Sequence, residues 1–373
     1  MKKLIYFLPF LIFACTASKS KQSTLFVGTY TQKLGHVNGQ ATGIYTCRFN
    51  SETGIVTVVD SATDVVNPSF VTVSPDKKYL YSVGEVSGSG TQRLGKVLAY
   101  RIREGGKLLK INEMPSYGNA PCHISTDNTG RFVFAANYLT GNVLSYGVKA
   151  DGGLTDTICM DQHAGKSPWA HQIRPMPDGK HIIAVDKGLD KVFIYELGQN
   201  GVLTYKNSIT TAKGSGPRHM DFMPQNPNRI AVINENSSAL GIYEIDPKTM
   251  NIKLLDSTST LPRDFIKENN TCADVHFHPN GKFVYGSNRG HNSIVTYAVD
   301  AHTGKLTVLR HTPTQGLIPR NFMITPDGKW LLVANQNSSN VVSFKIDTKT
   351  GILANKGIVN VVMTPVCLVQ IDN

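Results

Sequence analysis

The chain has 373 residues, of which 40% are hydrophobic and only 17% are charged, and it contains 33 glycines. This composition is typical of a turn-rich globular protein and excludes a largely disordered chain. The formal net charge of +11 is compatible with an anionic partner, but the absence of a Lys/Arg run or a basic stripe interleaved with aromatic residues argues against a nucleic acid.

The first element is an apolar segment that follows two lysines and ends at Ala14. It is too short to span a bilayer, so residues 1–15 are predicted to be an export signal. The residues before Cys15 resemble a bacterial lipoprotein processing box. Lipidation of Cys15 would anchor the mature chain through acyl groups, its only expected membrane contact, with residues 16–24 as a flexible tether. Ordinary secretion after nearby cleavage is the alternative, and a cytoplasmic location would follow if the segment is not a signal. Export predicts a periplasmic or membrane-anchored protein.

From residue 25 onward the chain is built from a sequence repeat. Seven times, an aliphatic strand ends in a small or polar residue, at intervals of 47 to 55 residues. These anchor positions are Thr29, Gly84, Asn137, Asp186, Asn234, Asn288 and Asn335. Self-similarity of this period indicates an array of units that bury their apolar faces against one another.

Each repeat carries the signals of four strands. About fifteen residues before the anchor, a short alternating apolar run leads in most repeats into a Pro-Asp-Gly or Pro-Asn-Gly turn. Because proline fixes φ and glycine accepts a positive φ, this pattern predicts a hairpin. A third strand follows the anchor, as in NVLSYGV, and in most repeats a glycine turn leads into a fourth. Four antiparallel strands without helical periodicity are the content of a propeller blade.

The two ends of the chain complement each other. The first repeat supplies strands two to four of a blade but no strand one, whereas TPVCLVQI at the C-terminus is a strand one with nothing after it. The sequence therefore predicts an all-β fold, a seven-bladed β-propeller over residues 25–373, with the first blade closed by the C-terminal strand. Such closure removes exposed sheet edges.

Polar side chains are predicted to converge on one face of the ring, the mouth of the propeller. Strands one and two are antiparallel, so the start of strand one lies beside the end of strand two. At the start of strand one, six residues before the turn proline or its equivalent, the repeats carry Ser69, Cys122, His171, Arg218, Ala273 and Arg320. The residues that follow these are Phe70, His123, Gln172, His219, Asp274 and Asn321. The residues after the strand-two anchors are Tyr30, Glu85, Tyr138, Lys187, Glu235, Arg289 and Gln336.

Four of these residues are candidates for chemistry rather than structure. They bring charge or proton-transfer capacity to positions that several other repeats fill with neutral residues, and they are His171, Arg218, Glu235 and Arg289. The recurring anchor asparagines are assigned a structural role as turn caps. His276 and His278 alternate along a strand and are interpreted as satisfied core or surface residues.

The cysteines do not indicate a bound metal or a disulfide framework. Beyond Cys15, they are scattered over different repeats without close pairs, at Cys47, Cys122, Cys159, Cys272 and Cys367. They are expected to be small buried apolar side chains. No carboxylate cluster implies a cation site either, so no metal and no cofactor are expected.

Several longer motifs resemble one known family. They are PCHISTDNTGRFVFAANY, GPRHMDFMP with VINENSS, CADVHFHPNGKFVYGSNRGHNSI and PRNFMITPDGKWLLVANQNS. In their proper order they resemble the propeller-type 6-phosphogluconolactonases and the related fungal carboxy-cis,cis-muconate cyclases, over essentially the whole mature chain. The resemblance implies that the active-site set is His171, Arg218, Glu235 and Arg289. The chain departs from the family at DKGLD, residues 186–190, where relatives resemble DLGxD, and this places Lys187 beside the mouth.

The resemblance implies a lactonase, a hydrolase that acts on a carboxylic ester. Opening a lactone with water needs a proton acceptor and positive groups facing the developing oxyanion. Either Glu235 or His171 can activate the water, while Arg218 and Arg289 can hold the oxyanion or an anionic group of the substrate. Further substrate contacts are expected from His123, His219, Arg320 and Gln336. The expected partner is a small anionic or sugar lactone.

Export would separate the protein from phosphorylated lactones of the cytoplasm, so an unphosphorylated aldonolactone or a uronic-acid lactone would suit it better as a substrate. Two functions other than lactone hydrolysis also remain open at this stage. A muconate-type lactonising cyclase could use the same residues to protonate and orient a carboxylate-bearing substrate. An exported propeller could also bind a glycan or a protein at its mouth without catalysis.

Overall fold

The computed structural model describes residues 22–372. Over this range the chain forms seven sheets of four antiparallel strands, which are the blades of a seven-bladed β-propeller, and one additional two-stranded hairpin. The predicted fold is confirmed. The helical content of the described chain is two single 3₁₀ turns, Glu104–Gly106 and Lys267–Asn269.

The strands run outward from the centre in the order one to four in every blade. Blade 1 consists of β30 (Pro365–Asp372), β1 (Gln22–Thr29), β4 (Ile44–Asn50) and β5 (Val56–Ala62). Blade 2 consists of β6 (Val71–Val73), β7 (Tyr79–Gly84), β8 (Lys96–Ile102) and β9 (Leu108–Pro115). Blade 3 consists of β10 (Pro121–Thr126), β11 (Phe132–Asn137), β12 (Asn142–Val148) and β13 (Leu154–Gln162). Blade 4 consists of β14 (Ala170–Pro175), β15 (His181–Asp186), β16 (Lys191–Leu197) and β17 (Leu203–Thr210).

The remaining blades repeat this arrangement. Blade 5 consists of β18 (Pro217–Met223), β19 (Asn226–Asn234), β20 (Ala239–Ile245) and β21 (Ile252–Ser259). Blade 6 consists of β22 (Thr271–Phe277), β23 (Phe283–Arg289), β24 (Ser293–Val299) and β25 (Leu306–Pro313). Blade 7 consists of β26 (Pro319–Ile324), β27 (Trp330–Asn335), β28 (Asn340–Lys345) and β29 (Ile358–Val361). The extra hairpin pairs β2 (Lys33–Leu34) with β3 (Val37–Asn38).

The C-terminal strand closes the ring as the sequence predicts. β30 pairs with β1 in a continuous ladder from Ser23 opposite Asp372 to Gly28 opposite Cys367. β1 begins at Gln22, so the predicted tether overlaps the first strand by three residues, because the ladders to β30 and β4 continue through that stretch. The predicted export signal and Cys15 lie outside the described residues. Within the described part of the chain, no helix is long and apolar enough to cross a membrane.

The hydrophobic core lies between neighbouring blades. Its clusters each combine residues of two adjacent sheets; one joins Leu25 and Val27 of blade 1 to Leu332 and Val341 of blade 7. Burying one such aliphatic side chain contributes about 1.5–3 kcal/mol relative to leaving it exposed. Closure therefore adds an inter-blade core as well as a ladder of backbone hydrogen bonds.

The anchor asparagines at the ends of the second strands are structural as predicted, but three of them bind the preceding blade rather than cap a turn. Asn137 Nδ2 donates to the carbonyl of Ser116 at 2.8 Å, and Asn288 Nδ2 donates to the carbonyl of Thr260 at 2.8 Å. Both acceptors directly follow the fourth strand of the preceding blade. Asn335 makes the equivalent bond to Thr314 at 3.2 Å. The repeated asparagine thus ties each of these blades to the one before it.

The cysteines of the described chain are all free. Cys47, Cys122, Cys272 and Cys367 are buried and Cys159 is half-buried. Burial raises the pKa of the Cys47 thiol to about 12 and that of Cys272 to about 11, so both thiols are neutral and act as small apolar side chains.

Candidate active site

A recurring β-bulge in the innermost strands directs side chains toward the central axis. The register of strand one against strand two shifts between Pro121 and His123, and the same shift occurs between Ala170 and Gln172, between Pro217 and His219, and between Pro319 and Asn321. The residues skipped by these bulges are Cys122, His171, Arg218 and Arg320. A β-bulge leaves one residue unpaired and re-aims its side chain. In these four blades the repeat therefore presents one side chain at the same height of the mouth.

These side chains line a cavity of about 580 Å³. Its wall includes five of the residues singled out in the sequence: His171, Arg218, Glu235, Arg289 and Arg320. The short hairpin β2–β3 extends over the cavity and contributes Leu34 and His36. A cavity of this size falls in the range of small-molecule sites, about 300–1,000 Å³.

Glu235 is held by three cations. Lys187 Nζ donates to its Oε1 at 2.5 Å, and its Oε2 forms ion pairs with Arg289 Nη2 at 2.8 Å and with Arg218 Nε at 3.1 Å. Burial acts to raise the pKa of Glu235, but the positive charges of Arg289, Arg218 and Lys187 outweigh it and hold the pKa well below its usual range. Glu235 is therefore a permanent carboxylate, and both of its oxygens are already engaged by these cations.

The two arginines are fixed from both sides. Arg218 Nη1 donates to the carbonyl of Ala273 at 2.6 Å, and Arg289 Nη2 donates to the carbonyl of Cys272 at 2.8 Å. Burial, and then the neighbouring charges of Arg289 and Arg320, lower the pKa of Arg218 to about 10, which still leaves it charged at neutral pH. The mouth thus holds two rigid guanidinium groups beside one shared carboxylate.

His171 differs from its charged neighbours because its imidazole has no polar partner within residues 22–372. Its Nδ1 is buried without a hydrogen bond, and its ring packs edge-on against Tyr138 at 5.4 Å between centroids. Burial, followed by the charge of Arg218, places the pKa of His171 well below the ordinary value for histidine. The neutral imidazole is the form that can accept a proton.

Lys187 lies beside the mouth, as the departure at residues 186–190 predicts. Besides Glu235, its ammonium group contacts two aromatic rings: it lies 5.7 Å from the centroid of Tyr138 and 5.5 Å from that of Trp169. Its side chain is 11% exposed. Such cation–π contacts hold the ammonium group in place, so Lys187 is a fixed part of the Glu235 cluster.

A second carboxylate cluster on the cavity wall was not selected in the sequence. Glu85 accepts hydrogen bonds from Tyr30 Oη at 3.0 and 2.9 Å, and from Ser69 Oγ. Arg320 Nη2 donates to Tyr30 Oη at 3.0 Å. A signal was available, because Glu85 occupies the position of blade 2 that Glu235 occupies in blade 5. Its polar neighbours lie in three different blades, which the sequence repeat alone does not reveal.

Three of the predicted substrate contacts do not line the cavity. His123 and His219 lie one layer deeper. There His219 Nδ1 contacts Asp274 Oδ1 at 2.7 Å, and the ring of His123 packs against that of Phe70 with 4.3 Å between the ring centroids. Gln336 is buried and donates to Asn337 Oδ1 at 2.8 Å. The deeper position follows from the bulge, because the residue after it is the next step along the inner strand, away from the mouth.

This deeper layer borders a second cavity of about 190 Å³. The lining of this cavity includes His276, which the sequence analysis interpreted as a structural core or surface residue. His276 Nε2 lies 3.1 Å from Asp274 Oδ2, and its Nδ1 lies 3.7 Å from Asp221 Oδ2. Burial opposes protonation, but the Asp274 charge and the contacts with both aspartates raise the pKa of His276 to about 10, making it a half-buried cation.

The described residues offer no clear metal centre. Within residues 22–372, no group of three or more His, Cys, Asp or Glu side chains is placed to hold a metal ion.

Comparison with known proteins places these features in context. The sequence model of the family described as "Lactonase, 7-bladed beta-propeller" matches residues 24–370. A 6-phosphogluconolactonase of Bacillus subtilis is 33% identical over 306 residues, covering 80% of this chain and 84% of the relative. A 6-phosphogluconolactonase of Formosa agariphila is 34% identical over 319 residues, covering 80% and 86%.

Solved structures give the same result. The periplasmic gluconolactonase PpgL of Pseudomonas aeruginosa superposes with a TM-score of 0.85 at 29% sequence identity. The match covers 94% of this chain and 99% of that structure. The likeness therefore extends over the whole propeller rather than a few blades.

Proposed function

The chain belongs to the lactonase family of seven-bladed β-propellers, a family of lactone-hydrolysing enzymes, and we propose that it opens a sugar lactone to its acid in the 580 Å³ cavity. The observation that carries this proposal is the neutral, unpartnered His171 on the same cavity wall as the arginine pair that shares Glu235. A proton acceptor facing fixed positive charge is what ester hydrolysis requires.

The contacts favour His171 over Glu235 as the base. In the proposed reaction, His171 takes a proton from water as the water oxygen attacks the lactone carbonyl. Arg218 and Arg289 stabilise the negative charge that develops on the carbonyl oxygen. Glu235 stays ionised and holds the two arginines in position. Collapse of the tetrahedral intermediate breaks the bond to the ring oxygen and yields a hydroxy acid.

The cavity also favours a polar lactone whose ring opening yields a carboxylate. Three arginines, Arg218, Arg289 and Arg320, line it together with two carboxylates. An arginine can bind a carboxylate or phosphate through two parallel hydrogen bonds. The relatives reported above include neither a muconate cyclase nor a non-catalytic binding module, and no contact in the site specifically favours those alternatives.

We further propose that the substrate is an unphosphorylated aldonolactone. The predicted export signal and the periplasmic gluconolactonase among the structural relatives both support this choice. The test is proton release by a protein comprising residues 22–373 on glucono-δ-lactone, its 6-phospho form and a glucarolactone, each corrected for spontaneous hydrolysis. Equal or greater kcat/KM on glucono-δ-lactone would support the proposal. Strong preference for the phosphorylated form would overturn the substrate choice, and no acceleration of any lactone would overturn the function.

Export as a lipoprotein is part of the proposal and has its own test. In a bacterial host with a lipoprotein pathway, the full-length chain should incorporate radiolabelled palmitate and fractionate with membranes. Cys15→Ala should abolish the label and release the protein from the membrane fraction, because Cys15 is the proposed acylation site. Cys47→Ala is the matched control, since Cys47 is a buried residue of β4. Unchanged labelling of Cys15→Ala would refute lipidation at this residue.

Arg218→Lys is expected to lower kcat/KM by about 10²-fold, a loss typical of a single oxyanion donor. A lysine cannot contact the carbonyl of Ala273 and the carboxylate of Glu235 with the geometry of a planar guanidinium group. Arg174→Lys is the matched control, because Arg174 contacts the carbonyl of Met220 and the carboxylate of Asp221 beside the second cavity. Initial rates on the best lactone measure both effects, and equal rates for the two variants would argue against a catalytic role of Arg218.

A further inference from the structure

We propose that Glu85 is a second catalytic group of this site, the acid that protonates the ring oxygen of the lactone as that oxygen leaves. This inference rests on the proposed lactonase function and extends it. Hydrolysis requires a proton for the departing alkoxide as well as a base for the water, and of the four residues first selected only His171, after it has taken the proton from water, can also supply one. His171 is assigned to the water, and the other three are permanently charged.

The position of Glu85 fits this role. It directly follows β7 and forms part of the cavity wall together with His171 and Arg218. Its backbone is fixed by Asn67, whose carbonyl accepts from the Glu85 amide at 3.0 Å and whose Nδ2 donates to the Glu85 carbonyl at 3.3 Å. The carboxyl group is thus held at a defined place on the wall.

The donors around Glu85 are neutral, unlike those around Glu235. Tyr30 Oη and Ser69 Oγ donate to the carboxylate, and the nearby guanidinium of Arg320 contacts Tyr30 Oη instead. Two carboxyl groups in one site whose environments differ in this way are suited to different protonation states. Glu235 remains an anion, whereas Glu85 can carry a proton.

The titratable groups that face Glu85 support this difference. Burial raises the pKa of Glu85, and the charges of Arg320 and Arg218 only partly offset the rise. Burial also raises the pKa values of Tyr30 and Cys122 far above their usual ranges, so neither adds a negative charge. The protonated form of Glu85 therefore persists to a higher pH than that of an exposed glutamate.

The proposed step is balanced. The bond between the acyl carbon and the ring oxygen breaks, its electron pair goes to the ring oxygen, and the Glu85 proton moves to that oxygen. The hydroxyl of the attacking water stays on the acyl carbon. The proton taken up by His171 returns to the Glu85 carboxylate through solvent after product release, so no additional reactant is required.

Glu85→Gln tests the inference by the pH dependence of kcat on the best lactone. Wild-type kcat is expected to fall on the high-pH side of the profile, above the usual pKa range of a glutamate, as Glu85 loses its proton. In Glu85→Gln, kcat should drop by about 10²-fold or more without this high-pH limb, because glutamine cannot supply an acid proton, and KM should change less than about threefold. Activity within threefold of wild type, or a reduced kcat with the same high-pH limb, would overturn the assignment.

Ser69→Ala provides a second, independent readout. Loss of the Ser69 hydroxyl removes a donor that favours the ionised carboxylate, so the Glu85 pKa rises and the high-pH limb should move to still higher pH. A limb that stays in place would count against Glu85 even if Glu85→Gln fails to fold. If the wild-type protein hydrolyses no lactone, the proposed function fails instead, so the two failures are distinguishable.

Discussion

Replacing Glu235 by glutamine is expected to lower kcat/KM by about 10³-fold, because the arginine pair loses the carboxylate that holds it. The structure adds a second expectation. Lys187, Arg218 and Arg289 would face one another without a compensating charge, at distances set by their 2.5–3.1 Å contacts to Glu235. Removing one partner of a buried ion pair costs about 3–5 kcal/mol. The variant should therefore also melt several degrees lower than wild type.

This loss of stability separates the two roles considered for Glu235. An anchor that neutralises three cations contributes to folding, whereas a base exposed to the cavity would contribute little. Glu196→Gln is the matched control: Glu196 also contacts a lysine, Lys206 at 2.5 Å, but its side chain is 50% exposed. An exposed pair of this kind contributes about 0–1 kcal/mol, so the control should keep its activity and melting temperature. A fully stable but inactive Glu235→Gln would favour Glu235 as the base.

His171→Asn is expected to lower kcat by about 10²–10⁴-fold while KM changes less than about threefold, because the variant loses the proton acceptor but keeps the cavity. The pH profile of the wild type provides a related test. The pKa of His171 lies well below the ordinary value of histidine, so activity should persist below pH ~6.5, and its low-pH limb should appear only where the imidazole becomes protonated. Stopped-flow or pH-stat rates between pH 4 and 9 cover this range.

The control for this substitution is His181→Asn in the same blade. His181 lies at the start of β15, where its Nδ1 contacts Asp178 Oδ2 at 2.6 Å, at the end of the blade opposite the mouth. This variant should retain wild-type kcat. If His171→Asn keeps more than a tenth of wild-type activity, another group must accept the proton.

The fold was predictable because its signals are repeated. The anchor at Asn137 recurs as Asn234, Asn288 and Asn335, and each turn motif lies at nearly the same distance before it. A single short apolar run does not identify a strand by itself, but seven equivalent runs at similar spacing do. The start of the first strand differs by three residues, with β1 beginning at Gln22 rather than at residue 25, because the polar residues Ser23 and Thr24 resemble a linker in the sequence.

The site was only partly predictable. His171, Arg218 and Glu235 stood out because they break the repeat, and the structure brings them to one cavity. The depth of each side chain below the mouth was not predictable. The bulge that turns Arg218 toward the mouth leaves His219 one layer below, and no turn residue in the sequence marks that bulge. The partners of Glu85 were equally hidden, since Tyr30 and Arg320 belong to other blades and approach it only after ring closure.

The most direct test of where catalysis occurs is a crystal structure of His171→Asn with the best lactone from the substrate panel. The lactone should occupy the 580 Å³ cavity, with its carbonyl oxygen within about 2.7–3.1 Å of a guanidinium nitrogen of Arg218 or Arg289. Its carbonyl carbon should face the side chain at position 171. A lactone bound in the second cavity beside His276, or anywhere outside the mouth, would contradict the account.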